Sequence, residues 1–242
     1  YLIRGEKLRP GEFGVMHGYM KIPELKNVCH AMGVSINEYL VSVYIWSVYT
    51  ECLHGMPSKC PIRVAVPVNL RPYFNSITTK NFFAMVSAEF HPTKETYTFA
   101  EVVEIVKESL RSQINRENLE KLFSYNVSNE KLMIARIVPL FLKNLAMKYV
   151  YTTSALANTA TITNIGNISV SEDYRPYVEM FQAFLAMSKG QHLKGTICSY
   201  GDTLVFSFSY DLVDASVQRG FFRKIASDGI AVEIKSNGVN YE

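Results

Sequence analysis

A proton-transfer site working near neutral pH needs an imidazole or a perturbed acid, and the chain offers five histidines: His17, His30, His54, His91 and His192. None has an aspartate four residues further on. His91 is followed by Glu95, but inside a turn-like His-Pro-Thr-Lys-Glu stretch, and a lone exposed histidine of that kind reads as solvated surface. Cys29, Cys52, Cys60 and Cys198 are far apart, with no Cys-x-x-Cys, which argues against a zinc site and against a disulfide framework and fits the reduced thiols of a cytoplasmic protein. No metal-ligating set is expected. The most distinctive polar stretch is Arg63-Val-Ala-Val-Pro-Val-Asn-Leu-Arg71-Pro72, followed by Asn81-Phe-Phe-Ala-Met-Val-Ser-Ala-Glu-Phe90. A guanidinium placed after a turn can satisfy several carbonyls or a carboxylate at once, so Arg71 is read as structural rather than substrate-binding.

These groups need elements to hold them. Ile62, Val64, Val66 and Val68 share one face of a strand, and Pro67 on the other face implies an edge or a bulge. Phe82, Ala84, Val86, Ala88 and Phe90 line a second strand. Upstream, Phe13 to Met20 has strand character and Ile22 to Met32 reads as a helix ending at Gly33. Ser35-Ile-Asn37-Glu38 fits a capping box for a helix running to about His54-Gly55. The spacing of Phe99, Val102, Val103, Val106 and Leu110 predicts an amphipathic helix over 99–115, followed by a polar, Asn-rich connection over 116–129. Leu132 to Tyr151 reads as a core helix bent or broken at Pro139. Strands are expected at Thr159 to Asn164, Ile168 to Ser171 and Val178 to Met187, with turns at Gly166-Asn167 and Glu172-Asp173. Thr196 to Tyr200 and Thr203 to Tyr210 form a hairpin about Gly201-Asp202, and a helix from about Ala215 to Ala226 precedes a short strand at Ile230 to Ile234. The sum is an α/β (α+β) two-layer sandwich, with a mixed, largely antiparallel sheet packed on helices.

The chain's 242 residues, 48% hydrophobic and 19% charged, suffice for one domain with a filled core. Its formal net charge of +3 is spread along the sequence, so no nucleic-acid footprint is visible. Arg4, Glu6, Lys7 and Arg9 interrupt any leader-like apolar run. The most apolar stretch, Leu132 to Tyr151, carries Arg136, Lys143 and Lys148, which argues against a transmembrane segment.

Set in this order, the pieces resemble the C-terminal half of the superfamily that includes chloramphenicol acetyltransferase, peptide-synthetase condensation domains, wax ester synthases and alcohol acetyltransferases. Met20-Lys-Ile-Pro-Glu-Leu25 and Met32-Gly-Val-Ser-Ile-Asn37-Glu38 look like the entry to that half, with Ser35 and Glu38 where Thr and Asp are usual. Val66-Pro-Val-Asn-Leu-Arg71-Pro72 is similar to the family's Pro-Val-(Ser/Asn)-Leu-Arg-Pro segment. Asn81-Phe82 stands where a Gly-Asn-(Arg/Phe) pair is usual, with Lys80 in place of Gly, and Thr163-Asn164-Ile165-Gly166 looks like the Asn and Gly turn before the late strands.

The family's His-His-x-x-x-Asp-Gly motif, whose second histidine is the general base, is absent. Its counterpart in this half is Ser209-Tyr210-Asp211-Leu212-Val213-Asp214-Ala215, where only the aspartate survives. Tyr210 would replace the imidazole, but a phenol with a pKa of about 10 is a poor base, and its place among Phe206 and Phe208 suits a core or tunnel wall. Asp214 is expected to cap the last helix.

The resemblance thus implies a single domain over 1–242, the C-terminal subdomain of a bacterial-type, two-subdomain acyltransferase without its catalytic N-terminal subdomain. The general base would come from that half, and no catalytic residue is expected in this chain. Acyl-CoA would be the co-substrate and an alcohol or amine the acceptor. Asn81, Ser87, Asn164 and Tyr210 are the candidate tunnel or substrate residues; Asn37, Arg71 and Gly166 are the structural ones. The implied partners are the N-terminal half, acyl-CoA or an acyl carrier, a small-molecule acceptor, and a second copy through the exposed inter-half face. A non-catalytic module that docks a carrier protein or an acyl ligand is the alternative. A free-standing trimer with interfacial sites is a third reading, against which Tyr210 counts.

Overall fold

The computed structural model describes residues 1–131, 138–188 and 190–239. Strand β1 (Gly14–Lys21) runs into α1 (Ile22–Ala31) and α2 (Ile36–Cys52); β2 (Ile62–Asn69), a helical turn α3 (Arg71–Phe74) and β3 (Phe83–Phe90) follow. Then come α4 (Phe99–Gln113), α5 (Arg116–Lys131), α6 (Leu140–Leu156), β4 (Ala160–Asn167), β5 (Leu193–Tyr200), β6 (Thr203–Tyr210), α7 (Ser216–Ser227) and β7 (Val232–Ser236). The strands form one sheet in the order β3-β2-β4-β5-β6-β1-β7. Only the central β2/β4 and β4/β5 pairs are parallel. The other four pairings are antiparallel, as the alternating patterns imply.

Helix α2 is the spine of the helical layer. It is buried nearly all round because the sheet covers one side and α4 and α7 the other. That is why its apolar residues do not confine themselves to one stripe. The capping box forms as expected: Glu38 N donates to Ser35 Oγ at 3.2 Å, and Ser35 N donates to the Glu38 carboxylate at 2.7 Å. The same carboxylate accepts from Arg111 Nε of α4 at 2.7 Å and from Nη2 at 3.0 Å, which fastens α4 across the start of α2. Phe206, Phe208, Phe221 and Tyr44 fill the space between the β5/β6 hairpin and the helices. The fit leaves no room at Gly14 of β1, where a Cβ would lie 2.2 Å from the Tyr210 ring.

Pro67 sits at an edge within the sheet. β4 pairs with β2 only at Val64 and Ala65, so the far end of β2 has no neighbour on that side and the missing N–H costs no ladder bond. β3 is the sheet's end strand, and α4 side chains cover it: Ser87 N donates to Gln113 Oε1 at 3.2 Å and Glu89 N to Ser109 Oγ at 3.1 Å.

Four expectations need correction. The polar connection over 116–129 is helix α5; the Asn115 side chain accepts from Asn118 N at 2.9 Å, and Glu117 and Lys121 pair one turn apart at 2.7 Å. The expected core helix over 132–151 is displaced and is not core. Its first residues, 132–137, lie outside the described residues, and from Leu140 onward it is exposed, with Leu145 67% and Tyr149 74% accessible. Neither Ile168 to Ser171 nor Val178 to Met187 forms a strand, and neither joins the seven-stranded order. Instead Ile168, Met180 and Ala183 pack over Tyr19, Cys198 and Val205 on the face of the sheet turned away from the helices. Gly166-Asn167 is not a turn either: it ends β4, where the register slips between Asn164 and Gly166 and Gly166 takes a φ of 85°.

Candidate functional site

On the face of the sheet opposite α2, the register sets polar side chains side by side. Ser87 of β3 lies opposite Ala65, which neighbours Thr161 of β4; Lys194 of β5 lies opposite Ser209 of β6, and Thr196 opposite Ser207. Two hollows open over this surface. One, of about 350 Å³, is lined by Asn69, Arg71, Asn81, Phe82, Thr163 and Asn164 among others. The second, of about 840 Å³, reaches from Ser87 and Asn158 to Gln191 and Lys194, with Leu122 of α5 and Tyr151 of α6 opposite. Asn81, Phe83, Met85 and Thr161 border both, so the hollows adjoin.

Arg71 shapes the first hollow from its rim. Its Nε donates to Thr78 O at 2.8 Å, Nη2 to Lys80 O at 2.6 Å and Nη1 to Asn69 Oδ1 at 3.2 Å, so the guanidinium folds the 75–80 loop around itself and presents Asn81. At the other rim Asn164 Nδ2 donates to Asn37 Oδ1 at 3.4 Å, while Asn164 Oδ1 accepts from Gly166 N at 2.9 Å. Asn37 and Asn164, 127 residues apart in sequence, thus meet where β4 ends above the start of α2. Ser87 Oγ donates to Asn158 Oδ1 at 3.2 Å in the second hollow.

The structure therefore gathers Asn81, Ser87 and Asn164 around adjoining hollows but places Tyr210 elsewhere. Tyr210 points into the helix-packed face at 1% exposure, beside a small void lined by Ile3, Cys52, His192 and Val217. Asp214 lies one residue before the N-cap position, Ala215, rather than at it; its carboxylate still accepts from Ser216 N at 2.9 Å.

Two histidines have side-chain partners that sequence spacing does not show. His17 Nδ1 lies 2.7 Å from Ser207 Oγ, and His192 Nδ1 lies 2.9 Å from the Asp211 carboxylate. Burial pulls the His17 pKa down, and Ser207 has no accessible surface, so this pair ties β1 to β6 without offering a nucleophile. Burial pushes the Cys29 and Cys52 thiols up to about 11, which leaves them unreactive near neutrality. Among the described residues no group of acids, histidines and cysteines could hold a metal ion, and no helix is long and apolar enough to cross a membrane.

Lys194, Gln191 and Thr161 are polar residues of the larger hollow that motif reasoning passed over. A signal for Lys194 existed: it is the one charged residue in a strand whose other residues are apolar or small, Leu193-Lys-Gly-Thr-Ile-Cys-Ser-Tyr200.

No protein-family model matches the sequence, and no curated protein matches it. Solved structures match its fold over almost the whole chain. TRI101 of F. sporotrichioides, solved with coenzyme A and T-2, shares 12% identity at a TM-score of 0.60, over 97% of this chain and 55% of that one. The wax ester synthase/diacylglycerol acyltransferase of Marinobacter aquaeolei VT8 shares 15% at a TM-score of 0.51, over 94% and 52%. The epimerization domain from the third module of tyrocidine synthetase B shares 11% at a TM-score of 0.56, over 94% and 50%. The chain thus spans about half the length of each. Its fold is therefore shared with a condensation-related domain of a peptide synthetase and with two acyltransferases, about half of each of which it covers.

Proposed function

We propose that this chain is the C-terminal subdomain of an acyltransferase that moves an acyl group from acyl-CoA to an alcohol or amine acceptor. The observation that carries the reading is the match of nearly the full chain to only about half of each acyltransferase of this fold. The absence of His-His-x-x-x-Asp-Gly from the sequence agrees with it. In this reading the N-terminal subdomain seats over the polar face of the sheet and turns the open hollows into a tunnel. Its histidine takes the proton of the acceptor hydroxyl as the oxygen attacks the thioester carbonyl; the C–O bond forms, the C–S bond breaks, and the proton passes to the leaving thiolate. Asn81, Ser87 and Asn164 contribute wall and positioning contacts, and Arg71, Asn37 and Gly166 hold them in place. The coenzyme A in the TRI101 structure supports acyl-CoA as co-substrate. The second reading, a non-catalytic module that binds a carrier protein or an acyl ligand, draws on the absence of the family's general-base motif from the sequence.

The gene tests this directly. The codons before Tyr1 should encode about 150 to 200 further residues containing His-His-x-x-x-Asp-Gly, a domain of ordinary size. An in-frame start immediately before Tyr1 would sink the proposal. The chain alone should release no thiol from acetyl-CoA with any alcohol, and turnover that disappears in Tyr210→Phe would return the catalytic role to that phenol.

A further inference from the structure

Lys194 is 92% buried in β5, taking its 8% relative exposure, yet among the described residues no carboxylate forms an ion pair with it. Its ammonium has three protons to donate, and the bond it makes is to Ala186 O at 2.9 Å. A cation taken out of water without a counter-charge is held at a cost, and burial here pulls its pKa down. Two more groups beside it are under-used. Ser209 Oγ, directly across on β6, and Thr196 Oγ1, two residues along β5, are buried hydroxyls with no hydrogen-bond partner among the described residues. Buried polar groups are satisfied in the great majority of cases, so two orphaned hydroxyls beside a buried cation with one hydrogen bond leave this patch electrostatically incomplete.

The lysine also lines the larger hollow, whose walls divide by polarity. Gln191, Asn158 and Thr161 are polar, whereas Phe83, Met85 and Leu122 are apolar. At about 840 Å³ the hollow is of the size that holds small-molecule ligands.

We propose that Lys194 is an anion-recognising group, and that this hollow takes an amphipathic ligand whose anionic oxygens meet Nζ while its apolar body lies along Phe83, Met85 and Leu122. The shared chemistry is a carboxylate or a phosphate ester: the first would belong to an acidic acyl or acceptor molecule, the second to the carrier of the acyl group. Binding follows from the geometry of the hollow alone; only its use in positioning a substrate rests on the acyl-transfer reading.

Titration calorimetry on the whole chain tests it with octanoate, octyl phosphate and octanol. At least one anion should bind about tenfold or more tighter than octanol, the low end of what a charge-assisted hydrogen bond contributes. Whichever anion binds tighter identifies the source, and displacement by coenzyme A would assign it to the carrier. Lys194→Met should bring the anion down to the affinity of octanol while leaving octanol binding in place, and Lys194→Arg should keep the preference. Equal affinities for anion and alcohol in the parent chain, loss of the preference in Lys194→Arg, or full anion binding by Lys194→Met overturns the assignment. A chain that binds the anion but belongs to no acyltransferase would fail the preceding proposal and leave this one standing.

Discussion

Glu38 joins two functions that sequence spacing separates. It closes the capping box of α2 and receives the Arg111 guanidinium from α4, so one carboxylate fixes a helix end and a helix-helix contact. Burial pushes its carboxyl up, but the hydrogen bonds from Arg111 and Ser35 outweigh burial and hold it below the usual carboxylate range. A folded-state pKa lower than the unfolded one contributes stability that is fully present above the unfolded value, about 4.3, and is lost as the pH falls through the folded value. Arg111→Met should therefore lower the urea midpoint of the chain at pH 7, by less than the loss of a fully buried ion pair would, because Arg111 is half exposed. Its deficit against the parent should shrink in urea titrations carried out below pH 4. A deficit unchanged from pH 7 to pH 3 would show that packing of the arginine stem, and not the ion pair, carries the effect.

The segment over 178–187 shows how a sequence can carry one tendency and a fold use another. Its Val and Phe residues are strand-forming, but the segment takes no place in the order β2-β4-β5-β6. It is held by side chains instead: Gln182 donates to the Tyr19 hydroxyl, Cys198 Sγ approaches Phe181 O at 3.3 Å, and Lys194 reaches Ala186 O. Backbone amides of 178–187 should therefore exchange with deuterium orders of magnitude faster than those of β5 and β6, as expected for backbone outside a ladder. Equal protection would mean that the segment is paired after all. The same reasoning separates what the sequence made legible from what it did not. β2, β3, the β5/β6 hairpin and the capped α2 were readable because their signals are local: period-two alternation, Gly201-Asp202, and Ser35 with Glu38. α5 is not legible because its asparagines, Asn118, Asn126 and Asn129, interrupt the helix-forming Glu117, Leu119, Glu120, Lys121 and Leu122. At the site, Asn81 and Asn164 were marked by motif, but their approach to adjoining hollows and the link from Asn164 to Asn37 depend on the parallel β2/β4/β5 crossover, which no local pattern encodes. Lys194 was passed over because its burial is a tertiary fact.

Helix α6 bears on the behaviour of the whole chain. Leu140, Phe141, Leu142, Leu145, Met147 and Tyr149 are all exposed, and Leu142, Leu145, Ala146 and Tyr149 line a further open hollow along the helix. Soluble monomers rarely leave so continuous an apolar patch uncovered, since covering it releases free energy in proportion to its area. Lys143 and Lys148 are the charged residues of α6, so like-charge repulsion between two copies is modest at ordinary ionic strength. The chain on its own should therefore self-associate through α6, and light scattering over a concentration series should give an apparent mass that climbs above the monomer's 27.4 kDa. Leu142→Glu combined with Leu145→Glu should return the mass to the monomer value at every concentration, with no loss of folding stability beyond the few tenths of a kcal/mol typical of surface changes. Sulfate should strengthen the parent's association, because it favours apolar burial, and leave the double variant unaffected. If the double variant associates as strongly as the parent, the contact lies on another face and α6 is covered in some other way.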